Sequence, residues 1–139
     1  MYRECALKCT FADGCRETKL EYSGFKIEGN TLKITMIDSA YSLEATLIYI
    51  AHEKHNIIER TCVLKNNSAN DIILEKAASA EINLPGQRPY TIINSNGSWG
   101  GEFRETKQRL ESGSIIFESR KGDTGQEHMP ALIAAENPK

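Results

Sequence analysis

The residue types that could take part in ligand chemistry concentrate towards the C-terminal end of the sequence, between Ser95 and Pro130. The only tryptophan, Trp99, stands there among three glycines, Gly97, Gly100 and Gly101. An indole in such a loop suits sugar recognition, because sugar C–H groups pack on the π surface while the hydroxyl groups bond to neighbouring polar atoms. The structural alternative is that Trp99 plugs the end of the fold, and the local sequence leaves both interpretations open.

Other catalytic patterns are weak in this sequence. Three histidines are present, but no G-x-S-x-G nucleophile elbow accompanies them. Nineteen acidic residues make a pair of glycosidase carboxyl groups easy to propose and impossible to locate. The segment Lys121 to Gly125, K-G-D-T-G, lacks the lysine-serine/threonine ending of a phosphate-binding loop, and we interpret it as a hairpin or bulge loop.

A zinc site is the remaining candidate for chemistry. Cys5, Cys9 and Cys15 fall within eleven residues, and His52 or His55 could complete the ligand set. Zinc sites prefer a short C-x-x-C knuckle, whereas the spacings here are C-x3-C and C-x5-C. The sequence therefore favours reduced, partly buried thiols in a cytoplasmic protein, and we expect no metal or other cofactor.

Length and charge restrict the class of protein. The chain has 139 residues, which suits one domain with a real hydrophobic core. Its formal net charge is -2 and its positive charges are scattered, which argues against a nucleic-acid-binding face. The sequence shows neither an apolar run long enough to span a bilayer nor the hydrophobic segment of a secretory signal. We therefore expect neither a nucleic acid nor a membrane as a partner.

Short alternating segments separated by turn residues dominate the sequence. They predict an all-β fold, an antiparallel β-sandwich with little or no helix. The predicted strands cover residues 5–11, 16–28, 32–36, 43–50, 57–65, 72–84, 90–94, 101–110, 114–119 and 131–135. Asp13-Gly14 predicts a hairpin turn, and the change of alternation at Ser23-Gly24 predicts a bulge. Residues 72–82 are the segment most compatible with a helix instead, because of their alanines.

Several short motifs occur in an order that resembles the N-terminal domain of glycoside hydrolase family 36 α-galactosidases. They are F-A-D-G-C-R from Phe11, G-S-W-G-G-E from Gly97, E-S-R-K-G from Glu118 and H-M-P from His128, with N-N-S, L-E-K-A and L-P-G between the first two. The resemblance implies a β-supersandwich that precedes a barrel, and the barrel carries both catalytic aspartates of a retaining mechanism. Neither barrel motif is present, so it implies one sandwich domain, residues 1–139, excised from a larger enzyme and without catalytic residues of its own.

The resemblance also implies a functional role for Trp99, since the tryptophan of this motif contacts the substrate in the family. The expected partners are an α-galactoside bound through the parent enzyme, the missing barrel and further copies in a tetramer. Two departures concern the same region: the family commonly has arginine at the positions of Gly101 and Phe103, and of its histidine-rich run only His128 and Pro130 match. A stand-alone carbohydrate-binding or interaction module is the alternative function.

Overall fold

The computed structural model describes residues 5–85, 89–119 and 127–136, and these residues form an all-β structure. The strands are β1 (Leu7–Thr10), β2 (Glu21–Glu28), β3 (Thr31–Asp38), β4 (Leu43–His52), β5 (Ile57–Asn66), β6 (Ile73–Ala77), β7 (Tyr90–Ser98), β8 (Gly101–Leu110) and β9 (Glu127–Glu136). All strand pairs are antiparallel. The predicted fold class is therefore confirmed. The described part of the chain contains one short helical turn, the 3-10 segment Glu53–His55, and no helix that could cross a bilayer.

The described residues form three sheets, and the chain divides into two compact units. The unit Met1–Asn83 contains a two-stranded sheet, β1-β6, and a four-stranded sheet in the order β2-β3-β4-β5. The unit Leu84–Lys139 contains a three-stranded sheet in the order β8-β7-β9. The single-domain organisation inferred from the sequence stays a prediction.

The four-stranded sheet follows the sequence closely because its strands are consecutive and joined by short turns. The register shifts between Tyr22 and Gly24, which confirms the bulge expected from the changed alternation. The turn after β3 is fixed by Asp38, whose side chain is almost fully buried. Its Oδ1 accepts hydrogen bonds from the backbone N–H groups of Ala40 and Tyr41, and its Oδ2 accepts one from Lys19 at 2.7 Å. This carboxylate therefore ties the chain before β2 to the β3–β4 turn.

The most buried apolar cluster of the first unit joins its two sheets. Cys9 from the two-stranded sheet and Leu43 from the four-stranded sheet meet Phe11, and all three are at most 3% exposed. The Tyr41 ring stacks on Phe11 with 3.7 Å between the ring centroids. The Tyr41 hydroxyl donates to Asp13 Oδ2 at 2.9 Å, which fixes the turn after β1. One end of the four-stranded sheet is therefore closed by a second layer.

Three details of the predicted strand pattern are wrong. Asp13-Gly14 lies in a turn closed by the Gly14 N–H bond to the Phe11 carbonyl, but this turn does not join a hairpin, because β1 pairs with β6. The predicted strand 72–84 is shortened to Ile73–Ala77, where β1 supplies the partner. Residues 114–119 form no strand, and Phe117 instead packs edge-on against His128. A strand persists only where a neighbour accepts and donates its backbone hydrogen bonds.

Candidate functional site

Trp99 lies at the tip of the hairpin between β7 and β8. The loop contains only Trp99 and Gly100, and it is flanked by the pair Ser98 and Gly101. Gly100 has a φ of +74°, which glycine adopts without steric strain and which matches the second central position of a type II turn. The Trp99 side chain is 96% exposed. The alternative in which Trp99 plugs the end of the fold is therefore wrong: its indole faces solvent.

The backbone beside the tip is irregular. The ladder passes from the pair Asn96–Arg104 directly to the pair Ser98–Gly101, so that two residues of β8 stand opposite Gly97. Phe103, one of these two, has a φ of +55° and is two-thirds exposed. A positive φ is costly for a bulky residue, and such strain concentrates at functional positions. Phe103 is thus a second exposed aromatic side chain on the hairpin that carries Trp99.

A row of polar side chains crosses the sheet below the tip. Asn96 of β7 pairs with Arg104 on β8 and with His128 on β9, and directly paired residues share one face of a sheet. His128 Nδ1 lies 3.0 Å from the amide oxygens of both Asn94 and Asn96, so the ring donates from Nδ1. Side-chain hydrogen bonds therefore join β7 and β9 at this level, and Arg104 extends the polar row onto β8.

Asn94 is the buried centre of this network. Its side chain is 3% exposed, and its Nδ2 donates to the carbonyl oxygens of Met129 and Ala131 at 3.2 and 2.8 Å. These two bonds fix the amide orientation, so that Oδ1 faces His128. The sequence analysis did not identify Asn94. The signal that could have identified it was a pair of amide side chains, Asn94 and Asn96, two residues apart on the strand that contains the apolar residues Ile92 and Ile93.

Arg104 covers Gly101, the residue that follows the loop. A Cβ atom on Gly101 would lie 2.7 Å from Nη2 and 2.9 Å from Cζ of Arg104. A larger side chain at position 101 therefore requires the guanidinium group to move. The arginine that the resemblance implies at this position would therefore displace the Arg104 side chain.

The proposed zinc ligands do not assemble into a site. Cys5 is exposed and Cys9 is buried in the core cluster, where desolvation raises the pKa of its thiol. His52 Nε2 lies 3.2 Å from Glu59 Oε2 on the neighbouring strand. Within the three described ranges, no three cysteine, histidine or acidic side chains are grouped as metal ligands would be. The loop Lys121 to Gly125 lies outside the described residues.

Comparisons with known proteins identify the class to which this fold and hairpin belong. Residues 1–139 match the family described as the glycosyl hydrolase family 36 N-terminal domain. The α-galactosidase AgaA of Geobacillus stearothermophilus is 34% identical over 109 residues, and the bifunctional α-galactosidase/sucrose kinase AgaSK of Mediterraneibacter gnavus is 31% identical over 109 residues. These alignments cover 77% and 78% of this chain but only 15% and 12% of the two enzymes.

The solved structures agree with the sequence relatives. A variant of Geobacillus stearothermophilus AgaA, crystallised in complex with raffinose, matches 94% of this chain and 21% of its own chain, with a TM-score of 0.83 and 27% identity. The galactosidase domain of AgaSK matches 97% of this chain and 21% of its own, also with a TM-score of 0.83, at 25% identity. The chain belongs to the glycoside hydrolase family 36 N-terminal domain family, which confirms the resemblance found in the sequence.

Proposed function

We propose that this chain is the non-catalytic N-terminal β-sandwich of a cytoplasmic α-galactosidase that hydrolyses terminal α-galactosyl residues of oligosaccharides. Family membership and the two α-galactosidase relatives support this proposal. In this proposal the catalytic carboxyl groups of the parent enzyme lie outside residues 1–139, which is compatible with the small share of the two relatives, 12% and 15%, that the chain spans. The parent uses a retaining mechanism, in which one carboxyl group attacks the sugar and another acts as acid and base.

The domain has a substrate-facing role through Trp99. The observation that carries this role is the exposure of the indole, which is 96% accessible on a two-residue loop. A large rigid aromatic side chain that folding leaves uncovered is available to stack on a sugar ring at low conformational cost. The polar row of Asn96, Arg104 and His128 supports the same hairpin from below. In the parent enzyme, Trp99 forms part of the wall of the substrate entrance.

The remaining roles of the domain are supportive. It forms part of a β-supersandwich that packs beside the catalytic barrel and contributes to contacts between subunits of a homotetramer. The exposure of many large apolar side chains, including Ile58 at 72% and Ile27 at 64%, supports these roles, because the assembled enzyme would cover such side chains.

The test compares this chain with the full-length enzyme that contains it. On a chromogenic α-galactoside, we expect turnover by the full-length enzyme and none by the 139-residue chain. Turnover by the chain alone that persists through repurification would contradict the non-catalytic role. A full-length enzyme that is folded but inactive on every α-galactoside would contradict the assignment of the parent.

The exposed indole also favours a second function, a stand-alone carbohydrate-binding module. This alternative predicts that the isolated chain binds galactosides, with a saturable change in the fluorescence of Trp99, the only tryptophan. A Trp99→Phe variant serves as the control, because it removes the fluorophore and retains an aromatic ring. An unchanged emission spectrum at millimolar galactoside would exclude the stand-alone module.

A further inference from the structure

The Arg104 side chain extends towards the tip of the hairpin that carries Trp99, although its backbone pairs with Asn96 further down the strands. A Cβ atom on Gly101 would lie 2.7 Å from Nη2 and 2.9 Å from Nε and Cζ of Arg104, so the guanidinium group rests directly over this glycine. Gly101 follows the two-residue loop and pairs with Ser98. The absence of a side chain at position 101 therefore leaves the space in which a cation is held beside the exposed loop.

The guanidinium group of Arg104 has hydrogen-bond donors available for a ligand. An arginine side chain carries several N–H donors and no acceptor. Within the part of the chain that the structure describes, no oxygen atom accepts a hydrogen bond from Arg104, and the side chain is exposed. Arg109 on the same strand differs, because its Nε lies 2.8 Å from Glu111 Oε1. Arg104 is therefore positioned by packing over a glycine while its donors remain open to solvent.

Asn96 adds a second donor next to Arg104. The two residues are directly paired and share one face of the sheet. Asn96 Oδ1 accepts a hydrogen bond from His128 Nδ1 at 3.0 Å, which leaves Nδ2 as the amide atom available to a ligand. Two groups that only donate cannot satisfy each other, whereas an acceptor placed between them can bond to both. The orientation of Asn96 is fixed by the sheet, since the buried Asn94 also contacts His128 Nδ1.

We propose that Arg104 is a specificity-determining residue that recognises the leaving-group sugar of the α-galactoside. This inference rests on the proposed function, in which Trp99 forms part of the wall of the substrate entrance. A terminal galactosyl residue enters such a site first, so the sugar bonded to it stays at the entrance, beside this wall. The hydroxyl oxygens of that sugar are acceptors for the donors of Arg104 and Asn96, and its C–H groups pack on the indole. The enzyme therefore favours oligosaccharides over galactosides with an apolar leaving group.

The test compares two substrates that share the galactosyl group and differ in the leaving group. One is an α-galactosyl disaccharide, whose leaving sugar carries hydroxyl groups, and the other is phenyl α-galactoside, whose ring carries none. Release of galactose by the full-length enzyme gives kcat/KM for both substrates, and the measurement is the ratio of the disaccharide value to the phenyl value. For Arg104→Ala we expect this ratio to fall about 10- to 100-fold, the range for lost hydrogen bonds to a charged group. Arg104→Lys keeps the charge but not the fork of donors, and its ratio falls less.

Gly101→Ala tests the position of the guanidinium group without removing it. The added Cβ requires the Arg104 side chain to move, and the backbone of Gly101 is not in the left-handed region, so alanine is compatible with it. We expect the ratio to fall, and to fall no further when Gly101→Ala is added to Arg104→Ala, because both substitutions remove the same contact. Arg109→Ala is the matched control: it removes an exposed arginine from the opposite face of β8 and leaves the ratio unchanged.

Four results would overturn the proposal. An active enzyme whose ratio is unchanged by Arg104→Ala refutes the role of Arg104 and leaves the proposed function in place. Equal losses on both substrates, or independent losses in the double variant, show that Arg104 does not act on the leaving group. A large drop in the thermal midpoint of Arg104→Ala shows that the residue is structural. A folded wild-type enzyme that is inactive on both substrates refutes the proposed function, and the inference with it.

Discussion

Replacement of Trp99 by alanine separates a functional tryptophan from a structural one. The side chain is 96% exposed, so folding covers only the remaining 4% of it. With roughly 250 Å² for a whole indole, about 10 Å² is buried, which contributes only ~0.3 kcal/mol to stability at ~25 cal/mol/Å². We therefore expect Trp99→Ala to change the free energy of unfolding of the chain by less than about 0.5 kcal/mol.

The same substitution has a larger expected effect on the full-length enzyme. A sugar that stacks on one face of the indole removes about 100 Å² of apolar surface from water, which corresponds to roughly 2.5 kcal/mol at ~25 cal/mol/Å². When this contact is kept in the transition state, its loss lowers kcat/KM for an α-galactoside about 70-fold. Trp99→Phe retains a smaller aromatic face and is expected to lose less.

The two measurements are urea unfolding of the chain and steady-state kinetics of the full-length enzyme. Ile92→Ala is the matched control for stability, because Ile92 lies on the same strand β7 and is 5% exposed. It is expected to destabilise the chain by about 2–5 kcal/mol. A loss of more than about 1 kcal/mol for Trp99→Ala would refute the exposure argument. An unchanged kcat/KM would refute the substrate contact.

Three further predictions concern the scaffold. Asp38→Asn turns one acceptor of a buried three-bond carboxylate into a donor, and we expect urea unfolding to show a loss of roughly 1.5–3 kcal/mol; unchanged stability would contradict that network. Gly100→Ala forces a Cβ into a φ of +74°, which costs about 1–2 kcal/mol and lowers the thermal midpoint, unless the turn changes type. Lys26 and then Lys33 lower the pKa of Glu28 to about 2, so its stabilising contribution is present above its ordinary value of 4.5 and is lost as pH falls towards 2. An NMR titration of Glu28 in low and in high salt checks this pKa shift. Salt should reduce the shift, because both ion pairs of Glu28 are solvent-exposed, and an ordinary pKa in low salt would contradict the ion pairs.

Local sequence signals were sufficient for much of the fold. Strands β2 to β5 follow one another along the chain with short turns, so alternation alone places their faces, and the bulge at Ser23-Gly24 follows from a change in that alternation. The motif around Trp99 placed the tryptophan in a loop between glycines, but it left open whether the indole is exposed. The family was recognised from the order of such motifs.

Local signals failed where a strand depends on a distant partner. The sequence supports a strand at residues 114–119 as well as it supports β6, but residues 114–119 form no strand, whereas β6 pairs with β1, more than sixty residues earlier in the chain. A pattern within ten consecutive residues cannot predict which distant strand will be the partner. The pairing depends on which other backbone N–H and C=O groups still need hydrogen bonds when the sheets form.

The sequence by itself determined the all-β class, the family and the position of Trp99, since these depend on residue order, alternation and turn chemistry over short distances. Only the tertiary structure decided that the indole is uncovered and that Asn94 and Asn96 contact His128. Burial and hydrogen-bond partners depend on residues that are distant along the chain. They are therefore fixed when the sheets form, and a linear pattern cannot specify them.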